Sequence, residues 1–168
     1  MGLWDVRDDA ARDQWNWVPL VSVGPLRFGA SRDEVEAVIG SEPRTQICRD
    51  YRWWIQAEFR SGVTVYYRDG RLGIVAVHAR SGPQVIYNDQ ALVGRVPSEL
   101  EQWAVDQHLA NGHQLRYSTY ADPELYELGL IIRVQRAGDF MLTRPVMLAE
   151  PADVSWEAVP TEEWDQWW

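Results

Sequence analysis

Three histidines, one cysteine and several carboxylate pairs are the residues whose types could support acid–base, nucleophilic or metal chemistry. His108 and His113 are five residues apart, a spacing that fits neither a helical metal-binding pair nor an HExxH zinc site, and His78 lies in an expected strand. Cys48 is the only cysteine, so a CxxC site is excluded, and no histidine lies near it in sequence to activate it. We therefore expect no metal site and a structural or solvated role for each of these residues.

The acidic residues occur in pairs, as in Asp8 with Asp9, Glu124 with Glu127 and Glu162 with Glu163. General acid–base catalysis requires burial and a charged partner that shift a carboxyl pKa, whereas acids in polar stretches are usually solvated. All sixteen basic residues are arginine, and the absence of lysine excludes a Schiff base and a Walker-type phosphate loop. No dinucleotide-binding or Gly-x-Ser-x-Gly motif occurs either. We expect no catalytic residue and no cofactor, and a small enzyme of unrecognised type is the third hypothesis.

The charge balance bears on the partner and on the compartment. Acidic residues outnumber basic ones by 25 to 16, which gives a formal net charge of -9. This charge disfavours nucleic acid and anionic membranes and favours a basic protein partner. The first nine residues lack an apolar core of signal-peptide length, and no run of eighteen apolar residues follows, so we expect a soluble cytoplasmic protein.

Tryptophan is unusually frequent, with ten in 168 residues. Trp and Tyr anchor protein interfaces because they bury large areas at a small cost in side-chain entropy. Trp53 and Trp54 are neighbours on an expected strand, so their side chains point to opposite faces of the sheet. The residues we predict to bind a partner are Trp53, Tyr66, Arg68, Arg133, Gln135, Trp164, Trp167 and Trp168.

The first half of the chain contains signals for a helix and two hairpins. Ser31 and Glu34 predict a capping box that starts a short helix, and Gly40 predicts its end. We expect residues 41–52 to be irregular and residues 53–60 to form a strand. Asp69-Gly70, between apolar runs at 63–67 and 72–79, predicts a tight hairpin. A shorter strand pair is expected at 85–87 and 91–93.

The second half of the chain shows a similar order of signals. Ser98 and Glu101 predict a second capping box, and Gly112 predicts the end of that helix. The expected apolar stripe of the helix consists of Leu100, Trp103, Ala104 and Leu109. Strands are then expected at 115–120, 130–135 and 140–148, with a loop at 121–124 and a turn at 137–138.

The two halves share one sequence offset. Ser98 minus Ser31, Glu101 minus Glu34 and Gly129 minus Gly62 each give 67. The sequence therefore predicts an α+β fold of two tandem helix-plus-antiparallel-hairpin repeats that share an antiparallel sheet. In the aligned strands, residues 63, 65 and 67 and residues 130, 132 and 134 should face the core, whereas residues 64, 66 and 68 and residues 131, 133 and 135 should be more exposed.

We expect one domain at residues 20–148, with repeats at about 24–80 and 91–148. Residues 1–19 are predicted to form an arm that lays its Trp side chains on the body. Residues 149–168 form an acidic, Trp-rich tail with four tryptophans and no basic residue. Two interpretations of the tail remain: it docks on the body, or it acts as a lure for a cationic cleft of a partner.

The segment from Leu26 to Gly40, LRFGASRDEVEAVIG, resembles the helix start of the tandem-repeat β-lactamase inhibitory proteins and of the related BamE-like lipoprotein domains. In those families a Gly and a Ser or Thr precede a short apolar-striped helix that ends at Gly, and a hairpin follows. The resemblance implies an α+β fold and a role as an inhibitor. This chain lacks the cysteines of the secreted inhibitors and a lipobox, so we do not extend the resemblance to a β-lactamase target.

The leading hypothesis is a bacterial, cytoplasmic binding protein of the immunity or inhibitor type. It would occlude a basic toxin or enzyme with an exposed sheet face and the neighbouring loops. The alternative is a structural or assembly module that binds a partner protein constitutively.

Overall fold

The structure, a computed structural model, describes residues 2–49 and 54–152. Two α-helices, α1 (Arg32–Ile39) and α2 (Pro97–Asn111), lie within these residues. The strands, in chain order, are β1 (Gln14–Val18), β2 (Ser22–Val23), β3 (Leu26–Arg27), β4 (Thr45–Arg49), β5 (Trp54–Phe59), β6 (Val63–Arg68), β7 (Arg71–Val77), β8 (Gln84–Tyr87), β9 (Gln90–Ala91), β10 (Leu115–Tyr117), β11 (Pro123–Leu125), β12 (Leu130–Ala137) and β13 (Phe140–Leu148). The predicted α+β class is confirmed.

Eight strands form one antiparallel sheet in the order β10-β11-β12-β13-β7-β6-β5-β4. Helix α1 precedes β4 to β7 in the chain, and α2 precedes β10 to β13. The two sets of four strands meet where β13 pairs with β7, with Val146 opposite Ala76. The first strand of each set therefore lies at an outer edge of the sheet.

The remaining strands form a second sheet in the order β3-β2-β1-β8-β9, in which β1 runs parallel to β8. This pairing makes the N-terminal segment, predicted to be an arm, part of a sheet. Trp17 in β1 is buried in the core. Arg12 is also buried, and its guanidinium donates to the carbonyl oxygens of Ala79 and Gly82 at 2.7 Å each. Burial lowers the pKa of Arg12, although the nearby Asp9 opposes this shift.

Helix α1 begins and ends as predicted. The Ser31 hydroxyl accepts from the Glu34 amide at 3.3 Å, and the Glu34 carboxylate accepts from the Ser31 amide at 3.0 Å. Gly40 closes the helix with φ of 82°. Helix α2 differs, because its N-cap is Val96 and no side chain caps it. The predicted Ser98 capping box is wrong, since Pro97 takes the first helical position that proline favours.

Helix α2 buries Leu100 and Ala104 and ends at Gly112, as predicted. Leu109 does not belong to the apolar stripe, because it is 74% exposed. Nine residues after Leu100, at about 100° per residue, place it on the opposite side of the helix. Within the described residues, neither helix is long and apolar enough to cross a membrane.

Both predicted two-residue hairpin turns are present. Asp69 and Gly70 have φ of 51° and 74°, and Asn88 and Asp89 have φ of 47° and 63°. Positive φ at both central residues gives the turn type whose twist matches that of a hairpin. The turn between β12 and β13 lies at residues 138–139 rather than 137–138.

Two segments predicted to be irregular contain strands. Residues 45–49 form β4, an edge strand whose sequence lacks apolar alternation and which pairs with β5 through its backbone. Residues 123–125 form β11, which begins at Pro123, a position where a missing amide is tolerated. The expected strand at 115–120 ends earlier, at Tyr117.

The main hydrophobic core lies on the side of the large sheet that carries both helices and the second sheet. The predicted inward positions Val63, Val65, Tyr67, Leu130 and Ile132 are buried there, but Val134 in the middle of β12 is 37% exposed. Burial and the nearby Glu36 raise the pKa of Tyr67 to about 12, so its hydroxyl stays neutral.

Candidate functional site

The other side of the eight-stranded sheet, which we call the distal face, carries a second apolar cluster. Cross-strand pairs place Tyr66 opposite Ile74, Ile74 opposite Leu148, and Val146 opposite Ile131. No member of this distal cluster exceeds 6% exposure, although it faces away from the helices. The distal cluster consists of Trp54, Tyr66, Ile74, Ala76, Ile131, Val146, Leu148 and Ala152.

Few apolar side chains of the described residues cover the distal cluster from outside the sheet. From outside the strands it receives Ala152 and, partly, Tyr126. The Ala152 amide donates to the Tyr126 carbonyl at 2.9 Å, and the Ala149 amide donates to the Gly73 carbonyl at 2.9 Å. These bonds lead the chain from the end of β13 back over the face. A Cβ on Gly73 would lie 2.7 Å from the Trp54 ring, so this glycine is what allows Trp54 to lie against β7.

Arginines surround the aromatic side chains of the distal face. The Arg68 guanidinium lies 5.9 Å from the ring centroid of Trp54, and the Arg116 guanidinium lies 4.6 Å from that of Tyr126. Arg133 lies 5.7 Å from the ring centroid of Tyr120. These are cation–π distances. Arg144 is directly opposite Arg133 on the neighbouring strand. We call Arg68, Arg116, Arg133 and Arg144 the arginine rim.

Two buried carboxylates lie beside the arginine rim. Asp122 Oδ2 is 3.5 Å from Arg133 Nε and accepts from the Ser118 hydroxyl at 3.3 Å. Glu124 is fully buried, with Oε2 3.9 Å from Arg116 Nε. A buried carboxylate is stable only with a cation or hydrogen-bond donors beside it. These pairs fix the positions of Arg116 and Arg133 at the end of the face formed by β10 to β12.

The structure brings four of the predicted partner-binding residues, Tyr66, Arg68, Arg133 and Gln135, to the same face. Arg68 is exposed, but Tyr66, Arg133 and Gln135 are buried. Thr64 and Ile131 are buried too, so the predicted exposure of residues 64, 66, 68, 131, 133 and 135 is correct only for Arg68. A period of two separates the faces of a strand and does not reveal that both faces are covered. The other predicted residues, Trp53, Trp164, Trp167 and Trp168, lie outside the described residues.

A polar cavity of about 270 Å³ adjoins the distal face and contains a serine–histidine pair. Ser81 Oγ is 3.1 Å from His78 Nδ1, and Gln135 Nε2 is 2.6 Å from His78 Nε2. Because Gln135 Oε1 accepts from the Ala79 amide at 2.7 Å, its nitrogen is the group that faces and donates to His78. The ring proton of His78 is then on Nδ1 and is donated to Ser81.

This arrangement does not activate Ser81 as a nucleophile. A general base would need its unprotonated nitrogen toward the hydroxyl, whereas that nitrogen of His78 faces Gln135. Burial, together with the charges of Arg144, Arg80 and other arginines, also lowers the pKa of His78 to about 3, which makes the ring a very weak base. Across the residues that the structure describes, no group of three or more His, Cys, Asp or Glu side chains could hold a metal ion.

Sequence reasoning missed Trp54 and Arg144 as members of this site. Trp54 had a usable signal, because period two places it on the face opposite the core residues Ala57 and Phe59 of its own strand. Arg144 had none, because its position opposite Arg133 depends on the register of the β12–β13 hairpin. No family model matches the chain, and no curated protein or solved structure is significantly similar to it.

Proposed function

We propose that this protein is a non-enzymatic binding protein of the immunity or inhibitor type, and that the distal face is its binding surface. The observation that carries the proposal is the grouping of Trp54, Tyr66 and the arginine rim on the sheet face opposite the helices. Trp, Tyr and Arg are the residue types that dominate the energetics of protein interfaces. The geometry of His78 and Ser81 supports a non-catalytic role.

The charge of the partner follows from where the acidic residues lie. Residues 153–168 contain five acids and no base, so residues 1–152 contain 20 acids and 16 bases, for a net charge of -9 + 5 = -4. More than half of the net negative charge is thus outside the described body. The arginine rim favours an acidic, aromatic segment of a partner at the distal face. The basic partner predicted from whole-chain charge is a candidate for binding to residues 153–168.

We further propose that the two halves of the sheet are tandem repeats, as in the inhibitor families that the helix start resembles. Both sets consist of a helix followed by four strands. Gly62 and Gly129 both have positive φ, 82° and 68°, and each directly precedes the third strand of its set. The offset of 67 relates the starts of these two strands and supports the proposal, whereas the Ser98 cap does not contribute to the argument.

A pull-down with the full-length chain tests the proposed function. The source lysate is passed over the wild type and over two charge-reversal variants, Arg68→Glu on the distal face and Arg27→Glu on β3 of the other sheet. We expect one stoichiometric protein that the wild type and Arg27→Glu retain and that Arg68→Glu retains at least about tenfold less, which corresponds to about 1.4 kcal/mol. No stoichiometric protein, or equal retention by both variants, would contradict the proposal.

The purified partner then separates inhibition from assembly. An inhibitor abolishes the partner's toxicity or enzyme activity at a one-to-one ratio, and the Arg68→Glu variant requires a higher concentration to do so. A constitutive assembly module leaves that activity unchanged at saturation. The second result would replace the immunity role with the alternative.

A further inference from the structure

The distal cluster is an apolar surface over which few apolar side chains of the described chain lie. Tyr66 and Ile131 are 0% exposed and Ile74 is 1% exposed, and the apolar residues of the described chain that pack on them from outside the strands are Ala152 and, partly, Tyr126. The helices and the second sheet, which bury the other face, belong to the other core cluster. This face therefore offers an apolar floor to a further segment of the polypeptide.

The lengths of the two internal candidates differ greatly. The distal cluster spans β5, β6, β7, β13 and β12, which is about 19 Å at the usual spacing of about 4.8 Å. Residues 50–53 must connect β4 to β5 at one edge of the sheet, and four residues extend over at most about 13 Å. Residues 153–168 reach about 24 Å as a helix and roughly 53 Å when extended. Only the C-terminal segment is long enough.

The chain also reaches the distal face at the right point. Ala149 is bonded to Gly73 beside Trp54, and Ala152 is a fully buried member of the distal cluster. A cavity of about 260 Å³ lies beside this path and is lined by Trp54, Arg68 and Leu148, among others. The described chain therefore ends on the distal cluster itself.

The chemistry of the segment complements that of the face. Residues 153–168 carry four tryptophans, Trp156, Trp164, Trp167 and Trp168, and five acids, Asp153, Glu157, Glu162, Glu163 and Asp165. The face offers an aromatic and aliphatic floor with a cationic rim. Burying large aromatic side chains on such a floor supplies the main free energy of docking, and the opposite charges orient the segment.

We infer that residues 153–168 fold back and occupy the distal face as an intramolecular ligand, with tryptophans on the distal cluster and carboxylates at the arginine rim. The tethering makes the segment's effective concentration millimolar, so even a weak interaction keeps the face occupied. The docking is independent of the proposed function. Its consequence, that a partner of the distal face must displace the segment, rests on the proposed function.

Competition in trans tests the docking. The probe is a fluorescein-labelled peptide of residues 153–168, and the full-length protein is compared with a full-length variant that carries Trp156→Ala, Trp164→Ala, Trp167→Ala and Trp168→Ala. In fluorescence anisotropy we expect the four-tryptophan variant to bind the peptide at least about tenfold more tightly than the wild type, whose face is already occupied. Equal affinities, or no binding to either protein, would overturn the inference.

Two controls place the peptide on the distal face. Adding Arg68→Glu to the four-tryptophan variant should weaken peptide binding at least threefold, whereas adding Arg27→Glu should not. Trp4→Ala in the wild type, a tryptophan removed far along the sequence from the segment, should leave peptide affinity at the wild-type level. If Arg27→Glu weakened binding as much as Arg68→Glu, the specific site would be wrong.

A second measurement keeps the inference testable if the four-tryptophan variant does not fold. A nitroxide is attached at Gln166→Cys in a full-length chain that also carries Cys48→Ser. The spin label should broaden the methyl signals of Ile74, Ile131 and Val146 on the distal face more than those of Val75 and Ile132, their neighbours on the helix side. Equal broadening, or stronger broadening on the helix side, would overturn the inference. Neither experiment needs a partner, so their failure is distinct from a failed pull-down.

Discussion

The two faces of the eight-stranded sheet bury similar side chains by different means. The helix side is apolar and is covered by α1, α2 and the second sheet. The distal face mixes an apolar centre with Arg133, Gln135 and Arg144, which are buried, and with exposed Arg68. Adjacent residues of one strand thus belong to different clusters: Ile132 to the main core and Ile131 to the distal cluster, on the face that we propose as a docking surface. The comparison teaches that burial alone does not distinguish a core from a docking face.

The largest expected effect comes from this pair of neighbouring isoleucines. We expect Ile132→Ala and Ile131→Ala each to lower the free energy of unfolding of the full-length protein by about 2–5 kcal/mol, because both side chains are buried. In the four-tryptophan variant the cost of Ile132→Ala should persist, whereas that of Ile131→Ala should fall below about 1.5 kcal/mol, since its face is then exposed. Denaturant titration of six chains, the two parents and the four isoleucine variants, measures both costs in both backgrounds. Equal costs of Ile131→Ala in the two backgrounds would remove the distinction between the faces.

A buried charge pair on the distal face sharpens the comparison. Arg133→Met leaves the Asp122 carboxylate, which lies 3.5 Å from Arg133 Nε, without that guanidinium. The expected loss is about 3 kcal/mol, since removing one partner of a buried pair leaves the other charge uncompensated. Chemical denaturation at pH 7 measures it. The double variant Arg133→Met with Asp122→Asn should recover part of the loss, and a double variant as unstable as Arg133→Met would show that the pair contributes nothing specific.

Local signals in the sequence were sufficient where the structure is itself local. The Ser31 cap, the Gly40 termination and the Asp69-Gly70 turn each depend on a few neighbouring residues and were predicted correctly. The start of α2 was missed because two local rules competed at Val96-Pro97-Ser98. Proline at the first helical position took precedence over a serine cap.

The features that depend on distant residues were not predictable in this way. The parallel pairing of β1 with β8 joins residues about seventy positions apart. Local signals could not reveal this pairing, and the N-terminal segment was therefore predicted to be an arm. The candidate site was predicted in part: period two placed Tyr66, Arg68, Arg133 and Gln135 on one face, but burial of that face requires knowing what lies over it. Arg144 joined them only through the register of a hairpin.

His78, at the margin of the distal face, should make the free energy of unfolding depend on pH. The pKa of His78 is about 3 in the folded protein and about 6.5 in the unfolded chain. As the pH falls below about 6.5, the unfolded state takes up the proton first, so stability decreases toward pH 3 and is restored above about pH 6.5. The expected loss is up to about 1.4 kcal/mol per pH unit, or roughly 2 kcal/mol between pH 6.5 and 5.

Denaturation of the wild type and of His78→Gln between pH 7 and pH 5 checks this dependence, in a range where most carboxylates remain ionised. The free energy of unfolding of the His78→Gln variant should change less with pH, because its side chain takes up no proton. A histidine signal assigned to His78 that titrates near pH 6.5 in the folded protein would contradict the buried, neutral state of the ring.

The smallest expected effect is at Arg68, the exposed member of the arginine rim. Arg68→Gln should lower the free energy of unfolding by less than about 1 kcal/mol, because exposed ion pairs and cation–π contacts are weak. The dependence of this loss on salt concentration separates two contributions of Arg68. The part of the effect that disappears between 0.05 M and 1 M salt reports attraction to carboxylates, since the Debye length falls to about 3 Å at 1 M. The part that remains reports the contact of Arg68 with the Trp54 ring.

The matched control is Arg27→Gln, which removes an exposed arginine from the other sheet. If the salt-dependent part of the Arg68→Gln effect were unchanged in a full-length chain with Glu162, Glu163 and Asp165 replaced by amides, these carboxylates would not be the partners of Arg68, and attraction at this rim would come from elsewhere on the body.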